Sequence, residues 1–302
     1  MQDDVRIELR RIGEQLDASL FPVVKNGGIV VPSNPAISPR TLGAELNHVK
    51  PGKARTEARP RQQAWASDRP RPSFGAWSYA RSGAPRPAAS LVVAELRSKF
   101  ANELTAVQQA YPGAQHWLDD DGMWLIVESS LLPGFSHKAV FVVAIRFADA
   151  LVRGWGFWGT EAIGYEWIGP RHTNFPDGSI CAFEPTDGTW AATDPLVVLL
   201  DLYTLWAVRH LHLKAFGRWP GRQAVRHAYE RILELRVDEY CGCDTSRLYG
   251  ECCRDADHAR NQIREALIFT TDMQGGLRCP PASILAFLRH RDKVPDLREI
   301  LR

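Results

Sequence analysis

The chain has no apolar run approaching the length of a membrane span, and its first residues, Met1-Gln2-Asp3-Asp4, lack the hydrophobic segment of a signal peptide. A cytoplasmic protein is expected, with no membrane partner. Charge of one sign is also scarce: 37 Lys and Arg against 35 Asp and Glu leave +2, too little to make nucleic acid the main partner. No internal repeat is present. The glycines at 154, 156 and 159 have the wrong spacing for a dinucleotide fingerprint. Cysteine is sparse, with six in all, and its distribution argues against a secreted disulfide framework: one isolated residue, a tight group of four, and Cys279 suit reducing conditions better. What is present, 302 residues at 45% apolar composition, supports a substantial core in one large or two modest domains.

Apolar positions at Val5, Ile7, Leu9, Ile12, Leu16 and Leu20 predict an amphipathic helix in residues 1–30. From 31 to 89 the chain turns to Arg, Pro, Ala and Ser, and reads as a linker or docking arm. Val93, Leu96, Phe100, Leu104 and Val107 then mark a helix over 90–110, stopped by Tyr111-Pro112-Gly113. The Val-, Ile- and Phe-rich runs 124–132 and 138–147 predict strands, and a third is expected over 165–168. Asp194-Pro195 reads as a cap and first turn for a buried helix over 195–215, ended by Gly217. Trp219-Pro220-Gly221 is expected to start another helix that runs to about Tyr240, and residues 255–302 look mainly helical. Asp119-Asp120-Asp121 reads as a solvated turn. His210 and His212, two apart on a helix, point to different faces and predict no two-point metal ligation.

Cys181 follows an Asp177-Gly178-Ser179 turn and lies seven positions after Asn174. A lone intracellular cysteine is ordinarily a small buried hydrophobe. A turn of this chemistry instead exposes the thiol on a loop, where a macromolecular acyl donor can reach it, and the thiolate is the attacking species. The stretch from Arg171 to Trp190 resembles the active-site segment of ubiquitin-conjugating enzymes. In that family a His-Pro-Asn tripeptide precedes the thioester-forming cysteine and a Trp follows; here His172, Asn174, Cys181 and Trp190 fall on those places. Thr173 replaces the proline, and the Asn-to-Cys spacing is one residue shorter than in eukaryotic members. The resemblance implies that Cys181 is the nucleophile, that Asn174 stabilises the oxyanion when an amine attacks, and that His172 is structural. Residues 154–159 would then form an irregular loop beside the site.

A second cluster, Cys241 and Cys243 with Cys252 and Cys253, has a C-x-C-x8-C-C pattern. Four clustered thiolates suit a tetrahedral structural zinc site; the alternatives are disulfides or free thiols. The pattern is similar to the SEC-C zinc motif, with Tyr249 and Arg254 at matching places, although Asp244-Thr245-Ser246 replaces the usual Gly-Ser-Gly. His258 is the nearest substitute ligand.

The expected fold is α+β: a ubiquitin-conjugating-like domain over 90–240, with helix, antiparallel meander, cysteine loop and helices in that order, followed by a zinc knuckle and helical tail over 241–302. The resemblance implies transfer of a ubiquitin-like protein from an activating enzyme to a target. It further implies kinship with the bacterial conjugating enzymes of antiphage defence operons. Two other readings are a catalytically silent variant acting as a scaffold and a nucleic-acid-binding adaptor built on the zinc knuckle.

Overall fold

The computed structural model describes residues 3–18, 23–25, 28–30, 89–132, 138–160, 164–183, 189–243, 245–272 and 278–301. The arm read at 31–89 lies outside them, apart from Ala89. The first helix, α1 (Asp3–Asp17), buries Leu9, Ile12 and Leu16. Ile7, which the sequence suggested for the same face, is 63% exposed. At 3.6 residues per turn it sits off the stripe that joins positions 5, 9, 12 and 16. A short hairpin of β1 (Val23–Lys25) and β2 (Gly28–Val30) follows.

After α2 (Ala89–Ala110) the chain builds one antiparallel meander, in the order β3 (Gln115–Leu118), β4 (Gly122–Glu128), β5 (Ala139–Arg146), β6 (Leu151–Thr160) and β7 (Gly164–Trp167). Both faces of the two central strands are buried, so these strands read as continuous apolar runs instead of alternating. Met123, Leu125, Phe141, Val143 and Ile145 face a core shared with α1, α2 and the long helix α3 (Leu196–Phe216). Trp124, Ile126, Val140 and Val142 face the opposite core, closed by α7 (Ala282–Arg289) and α8 (Leu297–Ile300). The C-terminal segment thus completes the second core of the sheet.

The glycine-aromatic stretch 154–159 is part of β6 and not the expected irregular loop. Its glycines serve a close approach: a Cβ on Gly154 would lie 2.4 Å from the Tyr203 ring, and one on Gly156 would lie 2.6 Å from the Trp206 ring. Their absence lets α3 lay two large aromatics on the strand backbone.

Contrary to the expectation that no apolar run approaches a membrane span, α3 is long and apolar enough to cross a membrane by length and composition, although most of it is buried inside this fold. Its N-terminus is capped differently from expectation. The Asp194 carboxylate accepts from Ala191 N, and the Leu196 N–H is instead taken by Glu103 of α2 at 2.7 Å. Gly217, with φ of 67°, closes the other end by donating to the Leu213 carbonyl. The helix expected over 219–240 is confined to α4 (Ala228–Glu234). Ahead of it, Gly221, at φ of 78°, donates its N–H to Asp17 Oδ1 at 2.7 Å, and Trp219 N donates to the buried carboxylate of Glu239. Those tertiary bonds hold residues 218–227 out of helical geometry. Helices α5 (Arg254–His258) and α6 (Gln262–Asp272) lead to the C-terminal segment. Asp119 forms the expected turn, accepting from the amides of Asp121 and Gly122.

Candidate active-site loop and metal centre

Between β7 and α3 the chain folds back on itself as a small ladder. Cys181 N donates to the His172 carbonyl at 2.9 Å and Asn174 N donates to the Ser179 carbonyl at 2.6 Å, with Thr173 and Ile180 facing between them. The Asp177 carboxylate accepts from Ser179 N, and Gly178 takes φ of 63° to complete the turn. His172, at φ of 51°, occupies the left-handed region that costs a non-glycine residue about 1 kcal/mol or more. The surrounding bonds hold it there. The Asn174 side-chain amide donates to Ser179 Oγ at 3.1 Å and to the Ile180 carbonyl at 3.3 Å. His172, Asn174 and Cys181 are therefore gathered in one loop.

That loop is anchored on every side. From α3, Trp206 Nε1 donates to the carbonyls of Arg171 and His172, and His210 Nε2 donates to that of Arg171 at 2.9 Å. From β6, the Gly154 carbonyl accepts from Ile180 N at 2.7 Å, and Trp155 Nε1 donates to the Asp177 carbonyl. Beneath it, the buried guanidinium of Arg171 pairs with fully buried Glu239 and with Gln223. Two such charges withdrawn from water are tolerable only as a well-bonded pair. His172 Nε2 meets Gln223 Oε1 at 3.0 Å, and the Gln223 amide donates to the Tyr240 carbonyl at 2.9 Å. Oε1 can only accept, so His172 carries its proton on Nε2. Burial, followed by the Arg171 charge, holds this imidazole well below its ordinary range, so the ring is neutral at pH 7.

Cys181 itself is half-buried. The Tyr203 hydroxyl of α3 lies close enough to feel both Cys181 and Arg153; burial raises its pKa most, and a charge on Cys181 would raise it further. Arg153 pairs with Asp177 at 3.7 Å. Trp190, by contrast, belongs to the foot of α3, where its Nε1 donates to the Pro195 carbonyl.

The four cysteines after α4 converge. Their Sγ atoms all lie within 4.8 Å of one another, with Cys243 to Cys252 at 3.5 Å and Cys252 to Cys253 at 3.8 Å. Thiolates bonded at about 2.3 Å around a tetrahedral ion are separated by about 3.8 Å, so the group can hold a metal ion. Gly242 lets the turn close: its carbonyl accepts from Val225 N, and a Cβ there would meet that nitrogen at 2.2 Å. Tyr249 is buried under the cluster, and Arg231 of α4 forms a two-pronged pair with Asp257 of α5 at 2.7 and 2.8 Å. Burial pushes the Cys241 thiol up to about 11. At Cys243 burial also pushes upward, but hydrogen bonds, Thr245 first, bring the thiol down to about 6. His258, the expected substitute, is not in the group.

No family model, curated protein or solved structure matches this chain.

Four residues that hold the loop were not visible in the sequence. Arg171 and Glu239 are 68 positions apart, Gln223 fell inside a stretch that reads as helix, and Arg278 lies 105 positions from its partner Thr173. The only local signal was Arg171 standing next to His172. Cys279 was likewise unconnected to the loop, yet a Cβ on Gly178 would lie 2.7 Å from its backbone.

Proposed function

We propose that the chain is a ubiquitin-conjugating-like acyltransferase that carries a ubiquitin-like protein as a thioester on Cys181. The carrying observation is the loop in which His172, Asn174 and Cys181 are bonded together, set between an antiparallel meander and a buried helix. The order of helix, meander, cysteine loop and helix supports a ubiquitin-conjugating fold. In the charging step the Cys181 thiolate attacks the thioester carbonyl held by an activating enzyme. A new C–S bond forms, the old C–S bond breaks, and the activating enzyme's thiolate leaves and takes up a proton. In discharge a target amine attacks the same carbonyl, Cys181 departs as thiolate, and the amine loses a proton. His172, neutral and donating from Nε2 to Gln223, holds the loop in this scheme. Cys241, Cys243, Cys252 and Cys253 would bind zinc (Zn2+), whose part is structural because four thiolates leave no position open for substrate. The setting proposed is cytoplasmic, in a bacterial antiphage conjugation operon, with an activating enzyme, a ubiquitin-like protein and a protein target as partners.

The test is incubation with activating enzyme, ubiquitin-like protein and ATP, followed by gels with and without reductant. A reductant-sensitive adduct is expected from the unaltered chain and none from Cys181→Ala, whereas Cys181→Ser should give a reductant-stable oxyester. An adduct that persists in the alanine variant would move the nucleophile elsewhere. A second reading, a silent scaffold of the same fold, is favoured by one observation: both hydrogens of the Asn174 amide are spent within the loop. Absence of any adduct from the unaltered chain would select it.

A further inference from the structure

Just ahead of α7, Arg278 and Cys279 meet the candidate loop from outside. Arg278 Nε donates to the Thr173 carbonyl at 2.9 Å and to Thr173 Oγ1 at 3.0 Å. Its terminal nitrogens pair with Glu234 and, at 3.1 Å, with Glu230, both on α4. The guanidinium also lies 4.8 Å from the centre of the Phe175 ring. One residue further on, the Cys279 backbone closes against Gly178, at the other end of the same turn. Arg278 therefore touches both neighbours of Asn174 while tying them to a helix of a different part of the fold.

Thr173 explains why such a grip is possible here. The two rungs of the loop ladder use the amides of Asn174 and Cys181, so a proline at 173 would preserve both. It would forfeit the hydroxyl, which donates to the Pro170 carbonyl at 2.6 Å and accepts from Arg278. Thr173 thus offers a hydroxyl that a distant arginine can hold.

We propose that Arg278 is a positioning residue for Cys181, a clamp from the C-terminal segment that sets the geometry of the His172–Cys181 loop through Thr173 and Phe175. Its relevance to acyl transfer rests on the function proposed above; its hold on the loop does not. Lysine separates the clamp from a simple counter-charge. A compact ammonium can neutralise Glu230 and Glu234, but it cannot bond them and Thr173 through one fixed fork.

The experiment compares the full chain with Arg278→Ala and Arg278→Lys, using melting temperature and zinc content as controls. The readouts are hydrogen exchange at the amides of Asn174, Gly178, Ile180 and Cys181, and the pH profile of Cys181 alkylation by iodoacetamide. With Arg278→Lys, zinc content should match the unaltered chain and the melting temperature should fall by only a few degrees, the scale of one lost bond in a chain of this size. Exchange at those amides should nonetheless rise about tenfold, the scale of one lost charge-assisted hydrogen bond, and the alkylation profile should shift. Arg278→Ala should do the same with lower stability. Unchanged loop exchange and an unchanged alkylation profile in folded Arg278→Lys would overturn the proposal and reduce Arg278 to a counter-charge. Should the alanine variant fail to fold, the lysine variant still decides. Neither readout needs an activating enzyme, so failure of the transfer function, seen as no adduct from the unaltered chain, is distinguished from failure of the clamp.

Discussion

Under the proposed function, two duties compete for the same two hydrogens of Asn174. Its side-chain amide bonds Ser179 Oγ and the Ile180 carbonyl, one residue from the candidate nucleophile, and those bonds fix the turn that presents Cys181. To stabilise an oxyanion during aminolysis, one of them must be released to the developing charge. Under the proposed function, Asn174→Ala should leave thioester formation nearly intact and slow discharge to free lysine by about a hundredfold, the usual loss for one such donor. Single-turnover charging and discharge assays separate the two steps. Equal losses in both would mean that the residue acts only by holding the loop.

At the scale of elements, α3 is the spine that binds the loop to the sheet, and its histidines are sensitive to acid. Burial lowers His210 to about 4, against its hydrogen bond to the Arg171 carbonyl, while burial lowers His172 and His212 as well. Each folded pKa lies below the unfolded value near 6.5, so between the two the unfolded chain binds more protons. Stability contributed by neutral His210 is therefore complete above about pH 6.5 and is lost as pH falls toward 4, and His172 and His212 act in the same direction. Urea unfolding should show a fall of up to about 1.4 kcal/mol per pH unit from His210 across that window. His210→Gln, which keeps a donor without a titrating group, should flatten the slope. A pH-independent midpoint between 6.5 and 4.5 in the unaltered chain would contradict the buried, neutral assignment.

Over the whole molecule, the cysteine cluster is bonded into the architecture that carries the loop. Glu239 and Tyr240 immediately precede Cys241; the first pairs with Arg171, and the second accepts from Gln223. Metal loss should consequently be felt as lost folding free energy, since binding energy at such a site is folding energy. Elemental analysis should give about one zinc per chain, the number that four thiolates can hold. Cys252→Ser or chelation should lower the melting temperature. A folded chain purified without metal, its four thiols free, would contradict a structural zinc site.

The sequence by itself determined the local features. The three- and four-residue spacing of Val93 to Val107 specified α2, the apolar runs around Leu125 and Val142 specified the central strands, and four cysteines within thirteen positions announced the cluster. These features depend on neighbours in the chain, and nearby residues are all that such patterns encode. The gathering of His172, Asn174 and Cys181 was legible for the same reason, because a ten-residue loop closes on itself. Tertiary structure alone decided the rest. Residues 154–159 became a strand because Tyr203 and Trp206 needed glycines to rest on, and Glu103 capped α3 in place of Asp194. Residues 218–227 stayed out of the helix because the carboxylates of Glu239 and Asp17 claimed the amides of Trp219 and Gly221. Arg171 with Glu239, and Arg278 with Thr173, are pairings across 68 and 105 positions. Such contacts form only once the sheet and helices have brought distant segments together, so no local pattern can carry them.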